Sequence, residues 1–337
     1  MTRLRIAVAA ALTLLLATGV GAAWSWRLLH TPLDLPQDGL MYTVRSGAAL
    51  STVMAELAEA GATGHPHLIS WYSRIRGTAT RIHAGEYRLE PGLTSITLLE
   101  KLNRGDVFLH QFTIIEGWRF EEMLAALRQH PAIAAGDDSG AGIMAALGQP
   151  ELHPEGQFLP DTYSFPRGTR DLELLRWAHS ALQSELDDAW AERTDLSTLR
   201  SPYEGLILAS IIERETALAS ERGLISGVMH ERLRRGMRLQ TDPTVIYGIG
   251  DSFNGNLTRA DIDRDTPYNT YTRGGLPPTP IALAGAASIR AAFTPTESGA
   301  LYFVATGDPD GSHVFSRTLE EHNAAVNRYV ERQRAGE

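Results

Sequence analysis

The first thirty positions are dominated by one long run of apolar residues. Arg3 and Arg5 precede a stretch from Ile6 to Trp26 that only small or weakly polar residues interrupt, and Arg27 closes it. A helix of about 20 such residues spans a bilayer, and arginines before the span favour a cytoplasmic N-terminus. The pattern predicts a single-pass transmembrane anchor in residues 1–30, with the bulk of the chain outside the cytoplasm.

A cleaved signal peptide is the competing interpretation of this run. Val20-Gly21-Ala22 resembles a small-residue cleavage site. The length of the run, and Trp24 and Trp26 at the far membrane interface, favour a retained anchor.

Residues 40–108 alternate between strand and helix patterns. A short strand from Tyr42 to Val44 precedes an amphipathic helix over about 50–60, and "HLISWYSRIRG" continues as a second helix. "RIHAGEYRLEPG" alternates like a strand, and "TSITLLEKLNRG" has a capped helical pattern. This order predicts a small α/β module, and the chain as a whole is expected to be α+β.

From residue 109 to about residue 335 the pattern indicates a larger mixed α+β domain. "EGQFLPDTYSFPRGT" resembles a structured loop, and "GMRLQTDPTVIYGIG" combines an extended run with Asp242-Pro243. A helix over about 224–235 carries arginines that are expected to be solvated. The last segment predicts a hairpin turning at "DPDG" and then a terminal helix.

One helix of this domain places glutamates within an apolar pattern. Ser201 suits the N-cap, Pro202 the first helical position, and Glu204 stands three residues after the cap. On a helical wheel Glu215 falls among Leu208, Ile211 and Ile212. The same wheel directs Glu213 away from that stripe.

A glutamate in an apolar setting has the property that a general acid needs. Desolvation raises the pKa of a carboxyl group, so the acid stays protonated near neutral pH. The alternative is that Glu215 lies at the edge of the stripe and pairs with Arg214, Arg222 or Arg232.

Composition narrows the remaining functions. The 337 residues carry a formal charge of −9, and no basic stretch is interleaved with aromatics, which argues against nucleic acid as a partner. The chain has no cysteine, and His230-Glu231 lacks the second histidine of a zinc helix. Neither a metal nor another cofactor is indicated.

Six stretches of the chain form a recognisable series. They are "IIEGWRF", "EGQFLPDTYSF", "ASIIERETALASER", "RLRRGMRLQTDPTVIYG", "YNTYTRGGLPPTPIA" and "LYFVATGDPDGSHVFSRTLEEHN". Taken together, they resemble the YceG-like family of membrane-anchored endolytic murein transglycosylases. They occur in the family's order, and "MRLQTDPTVIYG", within the fourth, is the most specific.

The resemblance implies a catalytic acid and a set of partners. The second glutamate of the family's E-x-E-T motif corresponds to Glu215. The family also implies a LysM-like, peptidoglycan-binding module at 40–108, a catalytic domain at 109–335, inner-membrane anchoring, and peptidoglycan synthases (penicillin-binding proteins) as partners. The chain departs from the family's turn at Leu283-Ala284-Gly285.

The implied reaction cleaves the β-1,4 bond between MurNAc and GlcNAc. Protonated Glu215 would donate to the glycosidic oxygen and then accept the proton of the MurNAc C6 hydroxyl, which attacks its own C1 and leaves a 1,6-anhydro end. Such cuts would end the elongation of nascent strands. Polar residues expected to hold the sugar are Gln240, Asp242, Asn269 and Tyr271, with Asp161 and Tyr163 ranked lower.

Two other functions remain open. A muramidase-type hydrolase would pair Glu215 with a second carboxylate, either Asp242 or Asp161, about 5 to 9 Å away. A non-catalytic anchored scaffold would bind glycan through the small module and recruit synthases.

Overall fold

The computed structural model describes residues 2–336, and the chain packs as two units. One comprises residues 1–110 with 165–167, and the other comprises 111–164 with 168–337. The strands described form four two-stranded sheets, so the architecture is mixed α+β, as the pattern predicts.

The first unit begins with the long apolar helix and continues as the predicted strand, helix, helix, strand, helix order. Its elements are α1 (Thr2–His30), β1 (Leu40–Val44), α2 (Leu50–Glu59), α3 (Pro66–Ile75), β2 (Gly85–Leu89) and α4 (Ser95–Arg104). Helix α1 is long and apolar enough to cross a membrane. The module's element order is confirmed.

Local sequence explains the ends of these elements. Thr94 caps α4 by accepting a hydrogen bond from the Thr97 amide, and Gly105 ends it in the left-handed region at φ 69°. Strands β1 and β2 pair antiparallel with Tyr42 opposite Tyr87. The module's core includes Leu29, near the end of α1.

The second unit is mostly helical. Between residues 109 and 191, a stretch that lies mostly in this unit, the chain contains β3 (Leu109–Thr113), α5 (Phe120–Gln129), β4 (Ile133–Ala134), α6 (Gly140–Ala146), β5 (Thr162–Pro166), β6 (Thr169–Arg170) and α7 (Asp171–Ala191). The second part contains α8 (Pro202–Glu215), α9 (Ala219–Arg234), α10 (Asp242–Ile249), α11 (Arg259–Asp263), α12 (Ala286–Phe293), β7 (Tyr302–Ala305), β8 (His313–Ser316) and α13 (Leu319–Gly336).

Helix α8 is the centre of this unit. Ser201 caps it by accepting from the Glu204 amide at 3.2 Å, as predicted. Every residue from Gly205 to Ile212 is buried, and α8 packs against α7, α9, α10 and α12. The helix therefore has no solvated face along most of its length.

Three expectations for this unit are corrected by the structure. The extended run in "GMRLQTDPTVIYGIG" ends at Thr241, and Asp242–Ile249 is helical with Pro243 in the first turn, where proline's missing N–H costs nothing. Glu213 is not directed to solvent. Arg232 is buried rather than solvated. The predicted hairpin with its turn at 308–311, by contrast, is confirmed by the antiparallel pairing of β7 and β8.

Candidate functional site

A pocket of about 470 Å³ opens at the C-terminal end of α8, inside the second unit. Glu215, the last residue of the helix, lines it. Helix α9, the segment from Leu239 to Asp242, the loop that holds Tyr271, the β7–β8 hairpin and α13 supply the rest of the wall. We call this the Glu215 pocket. Its lining is Glu215, Arg232, Leu239, Gln240, Asp242, Tyr271, Tyr302, Phe303, Val304, Ala305, His313, Leu319, His322 and Val326.

The carboxyl group of Glu215 is only partly exposed and is kept from ionising by its surroundings. Its pKa is raised to about 8, first by burial and then by the Asp242 carboxylate, while the Arg232 guanidinium opposes both. Among the described residues no arginine nitrogen lies within 4.0 Å of it, and no side chain or amide hydrogen-bonds to it. Glu215 is therefore a largely protonated acid at neutral pH, open to a ligand in the pocket.

Three of the four predicted sugar-holding residues lie in this pocket. Tyr271 donates its hydroxyl hydrogen to Asp242 at 2.6 Å, which fixes both side chains at the pocket wall. Gln240 has a φ of 52°, the one positive value among the described non-glycine residues. Such a backbone is strained by about 1–3 kcal/mol, and strain of this kind clusters at functional sites.

Asn269 does not line the pocket. It is completely buried, and its side-chain amide donates to the carbonyls of Ile262 and Arg264 at 2.8 and 2.6 Å. Its oxygen accepts from the Tyr271 amide at 2.8 Å. The contact with sugar expected of Asn269 does not fit this burial. The residue instead shapes the loop that presents Tyr271.

The two lower-ranked candidates also lie outside the Glu215 pocket. Asp161 accepts a hydrogen bond from the amide of the next residue, Thr162, at 2.6 Å. Tyr163 donates to the carbonyl of Leu159 at 2.8 Å. Both side chains stabilise their own loop.

Family membership follows from comparison with known proteins. The model of the YceG-like family matches residues 42–328. The chain belongs to the YceG-like family.

Individual relatives agree with this family. The endolytic murein transglycosylase of Bacillus subtilis (strain 168) is 30% identical over 311 residues, and the match covers 85% of this chain and 84% of the relative. The protein of that name from Streptococcus pneumoniae serotype 2 is 26% identical, and the match covers 85% of this chain and 58% of the relative.

The fold also matches a solved YceG-like structure. The crystal structure of a YceG-like protein from Listeria monocytogenes superimposes with a TM-score of 0.52 at 26% identity, covering 86% of this chain and 99% of the other. The family's architecture therefore extends over nearly the whole chain.

The first glutamate of the motif in this YceG-like protein, Glu213, has a structural role. The Glu213 side chain is only 6% exposed, and its Oε2 accepts from the Gly285 amide at 3.0 Å. The Arg222 guanidinium lies 3.9 Å away. The helical wheel places Glu213 on the side of α8 away from the apolar stripe. Because α8 is buried on all sides, that side also packs against other elements. Glu213 ties α8 to the start of α12.

The segment Leu283-Ala284-Gly285, where the chain departs from the family's turn, lies at this contact between Glu213 and Gly285. Leu283 pairs with both Gly117 and Trp118 through backbone hydrogen bonds of 2.8 and 2.7 Å. A Cβ on Gly285 would meet the Glu116 carboxylate at 1.9 Å, so the exposed Glu116 side chain would have to move to admit a larger residue. Leu283-Ala284-Gly285 therefore forms a close backbone contact outside the Glu215 pocket.

Sequence reasoning did not place four residues with polar side-chain groups in the pocket. They are Arg232, Tyr302, His313 and His322. Arg232 continues the buried stripe of Ile225 and Val228 at helical spacing, so a wheel for α9 contained the signal. Its guanidinium donates to the carbonyls of Leu239 and Leu301 at 2.7 Å each.

The pocket also contains a stack of rings. The Arg232 guanidinium lies 5.2 Å from the centre of the Tyr302 ring, and the His322 ring stacks on Tyr302 with centres 5.2 Å apart. Burial lowers the pKa of His322, and the Arg232 charge lowers it further. This wall is rigid and carries one fixed positive charge. No group of three or more His, Asp or Glu side chains in the described chain is arranged to hold a metal ion.

Proposed function

We propose that this YceG-like protein is an endolytic murein transglycosylase and that Glu215 is its catalytic acid. The observation that carries the proposal is a protonated, unpaired glutamate that lines a pocket of about 470 Å³. The relatives from Bacillus subtilis and Streptococcus pneumoniae bear the name of that activity.

The chemistry requires one group that gives a proton and then takes one. Protonated Glu215 donates to the oxygen between MurNAc and GlcNAc as the bond to C1 breaks. The resulting carboxylate accepts the proton of the C6 hydroxyl as that oxygen bonds to C1. The product is a 1,6-anhydro-MurNAc end, Glu215 is again protonated, and no water is consumed.

The internal nucleophile removes the need for a second carboxylate. A hydroxyl on the same sugar has a high effective concentration, so positioning replaces activation of water. Gln240, Asp242 and Tyr271 would hold the sugar, since their polar groups lie on the wall of the Glu215 pocket. Asp242 also helps to keep Glu215 protonated.

The first unit is proposed to hold the protein at the membrane and to bind its substrate. Helix α1 is proposed to anchor the chain in the inner membrane with the N-terminus cytoplasmic, and residues 40–108 are proposed as a LysM-like module that binds peptidoglycan. An anchored enzyme that cuts nascent strands would end their elongation. Penicillin-binding synthases, which make those strands, are the proposed partners.

Product analysis tests this function. Detergent-solubilised full-length protein is incubated with purified glycan strands in ¹⁸O-labelled water, and the ends are identified by mass spectrometry. We expect internal cuts, 1,6-anhydro ends and no ¹⁸O. Glu215→Gln should lower the rate at least about 100-fold, because it removes the general acid. Glu204→Gln, the same change at the other end of α8, should keep the rate.

Three outcomes would contradict the proposal. Reducing ends that contain ¹⁸O identify a muramidase-type hydrolase, in which Asp242 would be the second carboxylate. Wild-type rates in Glu215→Gln place the acid elsewhere. A chain that cuts no strand, and whose Glu215→Gln variant keeps its cellular role, is a scaffold.

A further inference from the structure

A single carboxylate holds His313 at the wall of the Glu215 pocket. Glu221, in the first turn of α9, faces the first residue of β8. Its Oε2 lies 2.7 Å from Nδ1 of His313, and its Oε1 accepts the His313 backbone N–H at 2.8 Å. The two side chains are only 12% and 10% exposed. The ring and the backbone of His313 are thus fixed by the same group.

This contact determines which ring nitrogen carries the hydrogen. A carboxylate only accepts hydrogen bonds, so Nδ1 must be the N–H and Nε2 keeps its lone pair in the neutral ring. Among the described residues Nε2 has no hydrogen-bond partner. The Phe303 ring lies edge-on at 5.6 Å and 81°, which holds the plane of the imidazole. The pocket therefore presents an oriented acceptor.

Two of the other polar side chains of the wall are already committed. Arg232 donates to backbone carbonyls, and Tyr271 donates to Asp242. A sugar carries hydroxyl and acetamido N–H donors that lose their hydration when they enter such a pocket. A donor left unpaired in such a site weakens binding. His313 Nε2 is placed to satisfy one of them.

We propose that His313 is a substrate contact, whose Nε2 accepts a hydrogen bond from the sugar bound beside Glu215, and that Glu221 is its positioning residue. The proposal rests on the proposed function, because it takes the ligand to be a murein sugar. It assigns a role to the first glutamate after the E-x-E-T motif. Glu221 does not itself contact the sugar. It acts by keeping the ring hydrogen of His313 on Nδ1.

Two substitutions separate this role from simple packing. In Glu221→Gln the amide oxygen still accepts the His313 backbone N–H, but the amide NH₂ donates to Nδ1. The hydrogen of the ring must then move to Nε2, which turns the acceptor into a donor. His313→Asn keeps a donor for Glu221 and removes Nε2. His30→Asn, at an exposed position outside both the 40–108 module and the Glu215 pocket, is the matched control.

Activity and binding are measured on the detergent-solubilised full chain. We expect Glu221→Gln and His313→Asn to lower kcat/KM for glycan strands by about 10- to 100-fold, the value of one lost hydrogen bond in the site. The melting temperatures should match that of His30→Asn. In a Glu215→Gln background, which binds without cutting, His313→Asn should weaken the binding of the same strands by a similar factor.

The tautomer supplies a readout that packing alone does not change. Imidazole ¹⁵N spectra of histidine-labelled protein should show the hydrogen of His313 on Nδ1 in the wild type and on Nε2 in Glu221→Gln. Wild-type cutting and binding in both variants would overturn the proposal. So would a loss of activity in Glu221→Gln with the tautomer unchanged.

The failure of the proposed function would look different. If the wild type cuts no strand, the transglycosylase assignment falls. The comparison of strand binding between Glu215→Gln and its His313→Asn double variant still decides whether His313 contacts the sugar. Equal binding by the two proteins would overturn the contact.

Discussion

At the scale of single residues, the central feature is the carboxyl group of Glu215, which stays neutral at pH 7. Glu215 has no hydrogen-bond donor or cation against its oxygens among the described residues, while burial and the Asp242 charge both disfavour ionisation. Its pKa of about 8 lies above its unfolded value. The protonated form therefore stabilises the fold at low pH, and that contribution declines as pH rises through about 8.

Asp242→Asn should shift the alkaline limb of the activity profile. Because the Asp242 charge raises the pKa of Glu215, removing the charge lowers that pKa, and kcat/KM should begin to fall at a lower pH than in the wild type. The height of the profile should fall as well, since a sugar contact is lost. The shape of the curve, normalised to its maximum, is the quantity to compare.

Asp251→Asn is the control for this shift. Asp251 also stands in the second unit, but it pairs with Arg119 at 3.0 Å and does not act on Glu215. Its profile should superimpose on that of the wild type. An Asp242→Asn profile with an unmoved alkaline limb would show that the limb does not report Glu215.

At the scale of elements, local sequence predicted the helix and strand order but not the contacts between elements. The caps at Thr94 and Ser201 are short-range features that any helix beginning there would need. Burial of Glu213 and Arg232 depends on segments far away in the chain, which periodicity within one element does not report.

The residues of the Glu215 pocket also divide into those that local sequence predicts and those that only contacts between distant segments bring together. The helical wheel and the family motif both identified Glu215, because its signal lies within one helix. His313 follows a turn and its partner Glu221 lies 92 positions earlier, so only the folded chain brings them together. Asn269 carried the right residue type for binding sugar, yet the loop around it uses the amide for its own backbone.

Gly205→Ala should destabilise the second unit, although alanine is the better helix former. A Cβ at Gly205 would lie 1.9 Å from Cζ of the buried Phe293 ring, so α8 and α12 must move apart. We expect the free energy of unfolding to fall by about 1–3 kcal/mol in urea titrations. Gly274→Ala is the control, because no atom lies within 4 Å of its Cβ. Equal midpoints for the two variants would contradict this packing.

At the scale of the whole molecule, the anchor and the small module share a residue. Helix α1 is exposed along its apolar stretch, but Leu29 is 3% exposed and belongs to the core of the first unit. The end of the predicted membrane helix is thus part of a folded module. A soluble form of the protein keeps that core complete only if its first residue precedes Leu29.

Two truncations should therefore behave differently. Deleting residues 2–26 should release the protein from membranes and keep both its melting temperature and its activity on purified strands. Deleting residues 2–30 removes Leu29 and should destabilise the first unit by about 2–3 kcal/mol, the value of burying one leucine side chain. Calorimetry on both forms checks this. Identical transitions would show that Leu29 contributes nothing to the module.

The most direct test of the central claim is a ¹³C titration of the Glu215 carboxyl group in the full-length protein, assigned by the signal that disappears in Glu215→Gln. We expect the Glu215 carboxyl group to ionise in a single step with a midpoint near pH 8, so that the acid form is dominant at pH 7. A midpoint near the ordinary glutamate value of about 4.3 would mean that the group is a carboxylate at neutral pH, which cannot donate the proton that strand cleavage requires.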